Sequence, residues 1–416
     1  MTTVLAAELG DIRHALAVGV VLAVLAAVAI GRVPLLRMNR ATAAFVGAVL
    51  LVALGALSLD QAFGSLDLGT LGLLFALMAV NVCLDRAGFF RRINAAIIGR
   101  TRSAKLLLAG IVVLSGVLSA LLLNDTIVLM FTPLIVDLTI RLERNPLPYL
   151  MGLATASNIG STATITGNPQ NILIGTSSGL SFLEFSGALS PVALGGLVIA
   201  WVVIVLVYRQ EFSSGPLPPH VSKTVRYHGP LLAQSLVALA VMIAACIAGT
   251  SVPAAALFAG AIVLANRRLN PDRLLGRIDW SLLVFFAGLF VVTGAVSSLG
   301  LSERLFEAAR PLAEGGIAPL SGVGLVLSNL VSNVPAVMLF RPIVPNLPDP
   351  TTAWLTLAMS TTLAGNLTLI GSVANLIVAE SARRRGVELS FVEYLKTGVP
   401  ITLLTLGWGI LWLTIR

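Results

Sequence analysis

Ser157 to Asn171 reads SNIGSTATITGNPQN, a run of hydroxyls, amides and two glycines set between strongly apolar stretches. Apolar flanks on both sides place it inside a membrane, where each unsatisfied backbone group costs several kcal/mol. Such a run survives only if it faces protein or a solute pathway. A related stretch, Thr361 to Asn375 (TTLAGNLTLIGSVAN), returns about two hundred residues later. The pair reads as two walls of one binding site.

Composition agrees. Hydrophobic residues make up 57% of the chain, charged ones 11%, and the mean hydropathy is +0.95, which excludes an ordinary soluble domain and predicts a polytopic membrane protein in a lipid bilayer. The net charge of +8 does not call for a nucleic-acid partner, because the basic residues sit in short loops between apolar spans, where topology explains them. Cys83 and Cys246 each fall inside an apolar span, and the three histidines have no metal-ligand spacing, so no disulfide framework, metal site or cofactor is expected. Glu8 and Asp11 precede the first apolar run, so no cleavable signal is expected either.

A membrane-crossing helix needs roughly 20 apolar residues. Going outward from the opening stretch, residues 150–177 read as a broken helix. A re-entrant helical hairpin over 104–140 precedes it, with Asn124, Asp125 and Thr126 at the tip; its second arm is too short to span. Spans are expected at 14–31, 41–58, 67–84 and 189–208, with an interfacial helix over 85–102. Residues 209–228, polar and proline-rich, read as a cytoplasmic linker dividing a first repeat, 1–208, from a second, 229–416. The second repeat predicts spans at 231–248, 253–266, 280–298 and 398–414, an interfacial arm at 300–314, a hairpin at 316–345 with Ser332 and Asn333 at its tip, and a broken helix at 351–380.

Residues match in order across the two halves: Asp67 with Asp279, Asn124 with Asn333, Phe131 with Phe340, Thr164 with Thr368, Gly167 with Gly371, Asn171 with Asn375, Pro191 with Pro400. Five full crossings per half is an odd number, so the second copy is expected upside down relative to the first. With both termini outside, the cytoplasmic loops hold 22 of the 27 Lys and Arg residues, the bias that the positive-inside rule demands. The fold expected is therefore all-α, two inverted repeats of five transmembrane helices, one of them broken, plus a re-entrant hairpin each. The location expected is a prokaryotic cytoplasmic membrane.

At each break a glycine precedes a good cap, Gly167-Asn168-Pro169 and Gly371-Ser372, so a new helix N-terminus opens in mid-membrane and offers N–H groups to an anion. Asp125 is the one carboxylate expected well away from an interface, where a charge is usually functional, binding a proton or a cation. Its plain alternative is a cap on the second hairpin arm. Ser157, Asn158, Thr162, Thr164, Thr361, Thr362, Asn366 and Thr368 can donate to an oxyanion, although Ser and Thr also satisfy backbone in kinked helices. Asn171, Asn375, Ser332 and Asn333 complete the candidate set, with Na+ a candidate ligand near Asn124, Asp125 and Asn333. No basic residue is expected in the site. Glu184 and Glu393 read as interfacial helix caps.

NDTIVLMFTP, SNIGSTATITGNPQN, SNVPAVML and AGNLTLIGSVANLIV resemble the paired signatures of the ion transporter superfamily, in particular permeases of the ArsB/NhaD and YbiR type, and more distantly the citrate-transporter-like divalent-anion:sodium symporters. The resemblance covers nearly the whole chain. It implies scaffold and transport parts, elevator-type alternating access and a homodimer built through the scaffold helices. The symporters carry Ser-Asn-Thr at both hairpin tips, whereas this chain has Asn124-Asp125-Thr126 and Ser332-Asn333-Val334, so their sodium sites do not carry over whole. The Asn-Asp tip resembles the ArsB/NhaD side, where the resemblance implies proton coupling.

The function expected is thus a secondary active transporter, not an enzyme, moving a small inorganic or organic anion or oxyanion with H+ or Na+. Alternatives are efflux of arsenite or antimonite as neutral oxyacids, Na+/H+ antiport at Asp125, and a channel. A channel would need polar residues along whole helices, and here they cluster at the breaks.

Overall fold

The computed structural model describes residues 2–33, 37–98, 103–213, 227–265, 269–301, 303, 307, 311–312 and 315–416. Seven helices among them are long and apolar enough to cross a membrane. The interfacial arm expected at 300–314 lies mostly outside the described residues, as do the centre of the linker, 214–226, and the end of the interfacial stretch, 99–102. Of that stretch, Phe89–Ile98 is helical.

The helices sort into two bodies. Thr2–Ile30, Arg40–Ala53, Leu68–Ala87, Gly229–Ile247, Val252–Leu264 and Trp280–Ser298 pack mainly on one another. The second body holds the two hairpins (Ala104–Leu121 with Asn124–Arg141; Ile317–Val331 with Asn333–Phe340), the two broken helices (Pro146–Ser161 with Pro169–Ser178; Pro350–Ala364 with Val373–Arg383) and the long helices Phe182–Val207 and Phe391–Ile415. Helices Leu68–Ala87 and Trp280–Ser298, whose starts carry the matched Asp67 and Asp279, run antiparallel. Arg277 pairs with Asp85 at one end, and Ser65 packs against Gly294 at the other.

Matched residues do matched work at helix starts. Asp67 and Asp279 each cap their helix by accepting from the backbone amide three residues on, Thr70 and Leu282. Ser181 and Ser390 do the same for Glu184 and Glu393. The Glu184 carboxylate returns the bond to the Ser181 amide, a complete capping box. Glu393 does not: it accepts from the Tyr208 hydroxyl at 2.8 Å and pairs with Lys396. These caps explain why both closing spans begin earlier than expected, at Phe182 and Phe391 instead of 189 and 398. Pro191 and Pro400 then lie inside the helices.

Small residues let the second body close tightly. A Cβ on Gly160 would fall 2.1 Å from the Gly116 carbonyl oxygen, so the first hairpin and first broken helix touch backbone to backbone. The second hairpin has the shorter return arm, ending at Phe340, and Pro342 and Pro345 follow, which lack the N–H a helix needs.

Candidate functional site

Both breaks and both hairpin tips meet. Asn158 is the hub: its Oδ1 accepts from Asn124 Nδ2 at 3.2 Å and from the Ser372 hydroxyl at 3.1 Å. Its Nδ2 donates to Asn366 Oδ1 at 2.9 Å and to Asn375 Oδ1 at 3.2 Å. One side chain thus ties the first tip to both broken helices. The first tip is also held by backbone, since the Asn124 amide donates to the Gly167 carbonyl at 3.0 Å and the Ser157 hydroxyl donates to the Asn124 carbonyl at 3.3 Å.

Each break is braced in the same way. Asn171 Nδ2 donates to the carbonyls of Ser161 and Thr164 at 3.0 and 3.1 Å; Asn375 Nδ2 donates to those of Gly365 and Thr368 at 2.7 and 3.1 Å, the same ten- and seven-residue steps back. Asn168 accepts from the Asn171 amide at 2.8 Å as the new cap, and its Nδ2 donates to Ser161 Oγ at 2.9 Å and across the halves to Thr362 Oγ1 at 3.2 Å. The Thr362 hydroxyl donates in turn to Asn171 Oδ1 at 3.3 Å. Gly167 is required by closeness: a Cβ there would lie 2.4 Å from the Ser161 carbonyl oxygen and 2.9 Å from that of Ser119.

A cavity of about 560 Å³ runs from this core along the seam between the two bodies. Asn124, Asp125, Thr126, Ser332, Asn333 and Ser372 line it, together with Pro169 and Gln170 at the new helix N-terminus. The remaining candidates lie behind the wall. Thr361 donates to the Leu357 carbonyl, Thr162 to that of Asn158, Thr164 to that of Ala120 and Thr368 to Asn329 Oδ1. Ser157, Asn158, Gly167, Asn168, Asn171, Thr362, Asn366, Gly371 and Asn375 likewise brace the breaks and do not line the cavity.

Arg40 and Arg277 line the cavity, where no basic residue was expected, and Asp85 and Asp279 join Asp125 there. Position in a short loop between apolar spans gives no sign in sequence that a basic residue faces a cavity. Asn81 and Gln170 also belong to the site. Asn81 was visible as a lone amide within an apolar span; its Nδ2 donates to Thr126 Oγ1 at 3.2 Å. The amide oxygens of Asn81, Asn124 and Asn333 are buried without a hydrogen-bond partner, an expensive condition unless a solute completes them. Ser332, at the second tip, holds a φ of 79° and ψ of 157°, a region almost reserved for glycine. Asp125 sits in the first turn of its arm, and the structure gives its carboxylate no capping bond.

The sequence profile described as CitMHS, citrate transporter, matches residues 20–364. The chain is 31% identical to the silicon efflux transporter LSI3 of Oryza sativa subsp. japonica, over 91% of this chain and 93% of that protein. It is 23% identical to a transporter named arsB in Dictyostelium discoideum, over 90% of this chain and 87% of that one. The crystal structure of the Alcanivorax borkumensis YdaH transporter superposes with a TM-score of 0.57 at 15% identity, covering 97% of this chain and 98% of that chain, which establishes likeness of fold.

Proposed function

The chain belongs to the citrate transporter family, and from that premise we propose that it is a secondary active transporter carrying a small anion or oxyanion by alternating access, coupled to H+ or Na+ at Asp125. The observation that carries this reading is the cavity that ends on both hairpin tips at the seam between two bodies. The helix N-termini at Pro169 and Val373 face it and favour negative charge. Asp125, beside the unpartnered amide oxygens of Asn124 and Asn333, has the oxygen-rich chemistry for a coupling Na+, and its carboxylate alone suffices for a proton. One body swinging against the other as inverted repeats, with both termini outside a prokaryotic cytoplasmic membrane and a homodimer formed through the first body, is the arrangement we infer.

Proteoliposomes provide the test. Substrate-dependent flux driven by a proton or sodium gradient is expected, and Asp125→Asn should abolish its dependence on that gradient. Asn168→Ala should lower flux at least tenfold by opening the brace at the first break, about the effect of one lost buried hydrogen bond. Full flux in both variants removes the proposed site.

A second reading is efflux of a neutral oxyacid such as silicic or arsenous acid. The silicon efflux relative favours it, and so does the lining, in which three carboxylates (Asp85, Asp125, Asp279) face two guanidiniums (Arg40, Arg277) and give no surplus of positive charge for a polyanion. Export of silicic acid against citrate in the same vesicles separates the two.

A further inference from the structure

Asp67 caps helix Leu68–Ala87 with Oδ1, which accepts from the Thr70 amide at 2.9 Å. Its second oxygen is engaged elsewhere: Oδ2 accepts from Arg341 Nη2 and from the Thr176 hydroxyl, both at 3.3 Å. The Thr70 and Thr176 hydroxyls share a bond of 2.9 Å. The Asp67 side chain is 12% exposed and Thr70 is fully buried, while Arg341 keeps 35% of its side chain exposed, so the carboxylate end of the cluster is the dehydrated one. Arg341 also lies over the Phe290 ring, 5.7 Å from its centre.

These residues come from different bodies. Asp67, Thr70 and Phe290 belong to the first; Arg341 ends the second hairpin and Thr176 lies in the first broken helix, both of the second. The cluster sits at the N-terminal end of helix Leu68–Ala87, while Asp85, near the other end about 30 Å away, lines the cavity. One face is therefore closed by an ion pair and the other is open.

The repeat shows that the closure is one-sided. Asp279 matches Asp67 and caps its own helix, yet it is exposed in the cavity lining. The residues matching Arg341 and Thr176 are Thr132 and Glu380. The Thr132 hydroxyl donates to the Val128 carbonyl, and Glu380 is paired with Arg383 and Arg384. A swing that brings Asp279 against the second body meets no guanidinium at the matching places.

We propose that Asp67, Arg341, Thr176 and Thr70 form a latch that biases the resting protein toward the conformation whose cavity opens on the face bearing loops 31–40, 85–105 and 266–277. The inference rests on the alternating-access reading above. A contact made in only one of two states shifts their ratio by its whole net free energy, so cargo or coupling ion must bind the other state more tightly by at least that margin.

The test is a cysteine pair, Thr70→Cys with Thr176→Cys, oxidised with copper phenanthroline in native membranes. Cys83 and Cys246 are buried and give little background. The two introduced cysteines replace the hydroxyl bonds and leave the Asp67–Arg341 ion pair as the part of the latch under test, and with that pair intact they should crosslink fastest. Asp67→Asn, which keeps a capping oxygen, and Arg341→Gln should each slow crosslinking about three- to tenfold, the double variant should be no slower than either alone, and Arg341→Lys should recover part of the rate. Equal rates in every background, or slowing that adds up in the double variant, overturn the latch. Size-exclusion profiles identify any variant that misfolds, and Arg341→Lys keeps the test open if Arg341→Gln is one. Crosslinking needs no cargo, so slowed crosslinking in a protein that moves no solute would count against the transport reading and not against the latch.

Discussion

Asn171 and Asn375 show how much one side chain can settle. Each donates two bonds to carbonyls that the break has freed, and each is fully buried. Asn171→Ala should therefore cost about 1–3 kcal/mol, because the Ser161 and Thr164 carbonyls lose their shorter bonds and keep only those of 3.4 Å from Asn168 Nδ2 and the Gly167 amide. Asn171→Asp should fare no better, since a carboxylate cannot donate; thermal unfolding in detergent checks both. Ser332 predicts the opposite sign. Its backbone conformation costs a non-glycine residue about 1–3 kcal/mol, so Ser332→Gly should raise the melting temperature, while lowering flux if the hydroxyl meets cargo. Sequence singled these residues out as candidates for a solute site, because polar groups within apolar runs must find partners; Ser332 lines the cavity, whereas Asn171 and Asn375 brace the breaks. It did not say which would face the cavity: Thr361 and Thr164 bond to backbone carbonyls, while Gln170, one residue beyond a named proline, is in the lining.

At the scale of elements, breaks and hairpins were legible because glycine, proline and caps interrupt otherwise continuous hydropathy. Helix ends were less so. The starts at Phe182 and Phe391 depend on Ser181 and Ser390 capping a first turn that lies before the apolar runs expected from 189 and 398; Glu184 and Glu393 point to a cap there but do not fix the residue at which the helix begins. Ser181→Ala should destabilise the start of the first of these helices by about 1 kcal/mol, and removing Glu184 as well should add little, since the two form one reciprocal box. Faster amide exchange confined to residues 182–185 is the expected readout.

For the whole molecule, two bodies meeting along a cavity on one face and a latch on the other is an asymmetric arrangement built from a symmetric sequence pattern. If the repeats are inverted as proposed, tags at residue 1 and residue 416 should both be protease-accessible from outside intact cells, and a tag in 214–226 only after lysis. The sequence by itself determined the membrane setting and where the apolar helices are interrupted, because burial in lipid leaves few places for a polar residue and each one leaves a mark in the order of residues. Only the tertiary structure decided that Arg40, Asn81 and Asp279 share a cavity with Asp125 and that Asp67 reaches Arg341. Those meetings join residues far apart in the chain, and the free energy that selects them comes from packing and desolvation between helices, which no local pattern records.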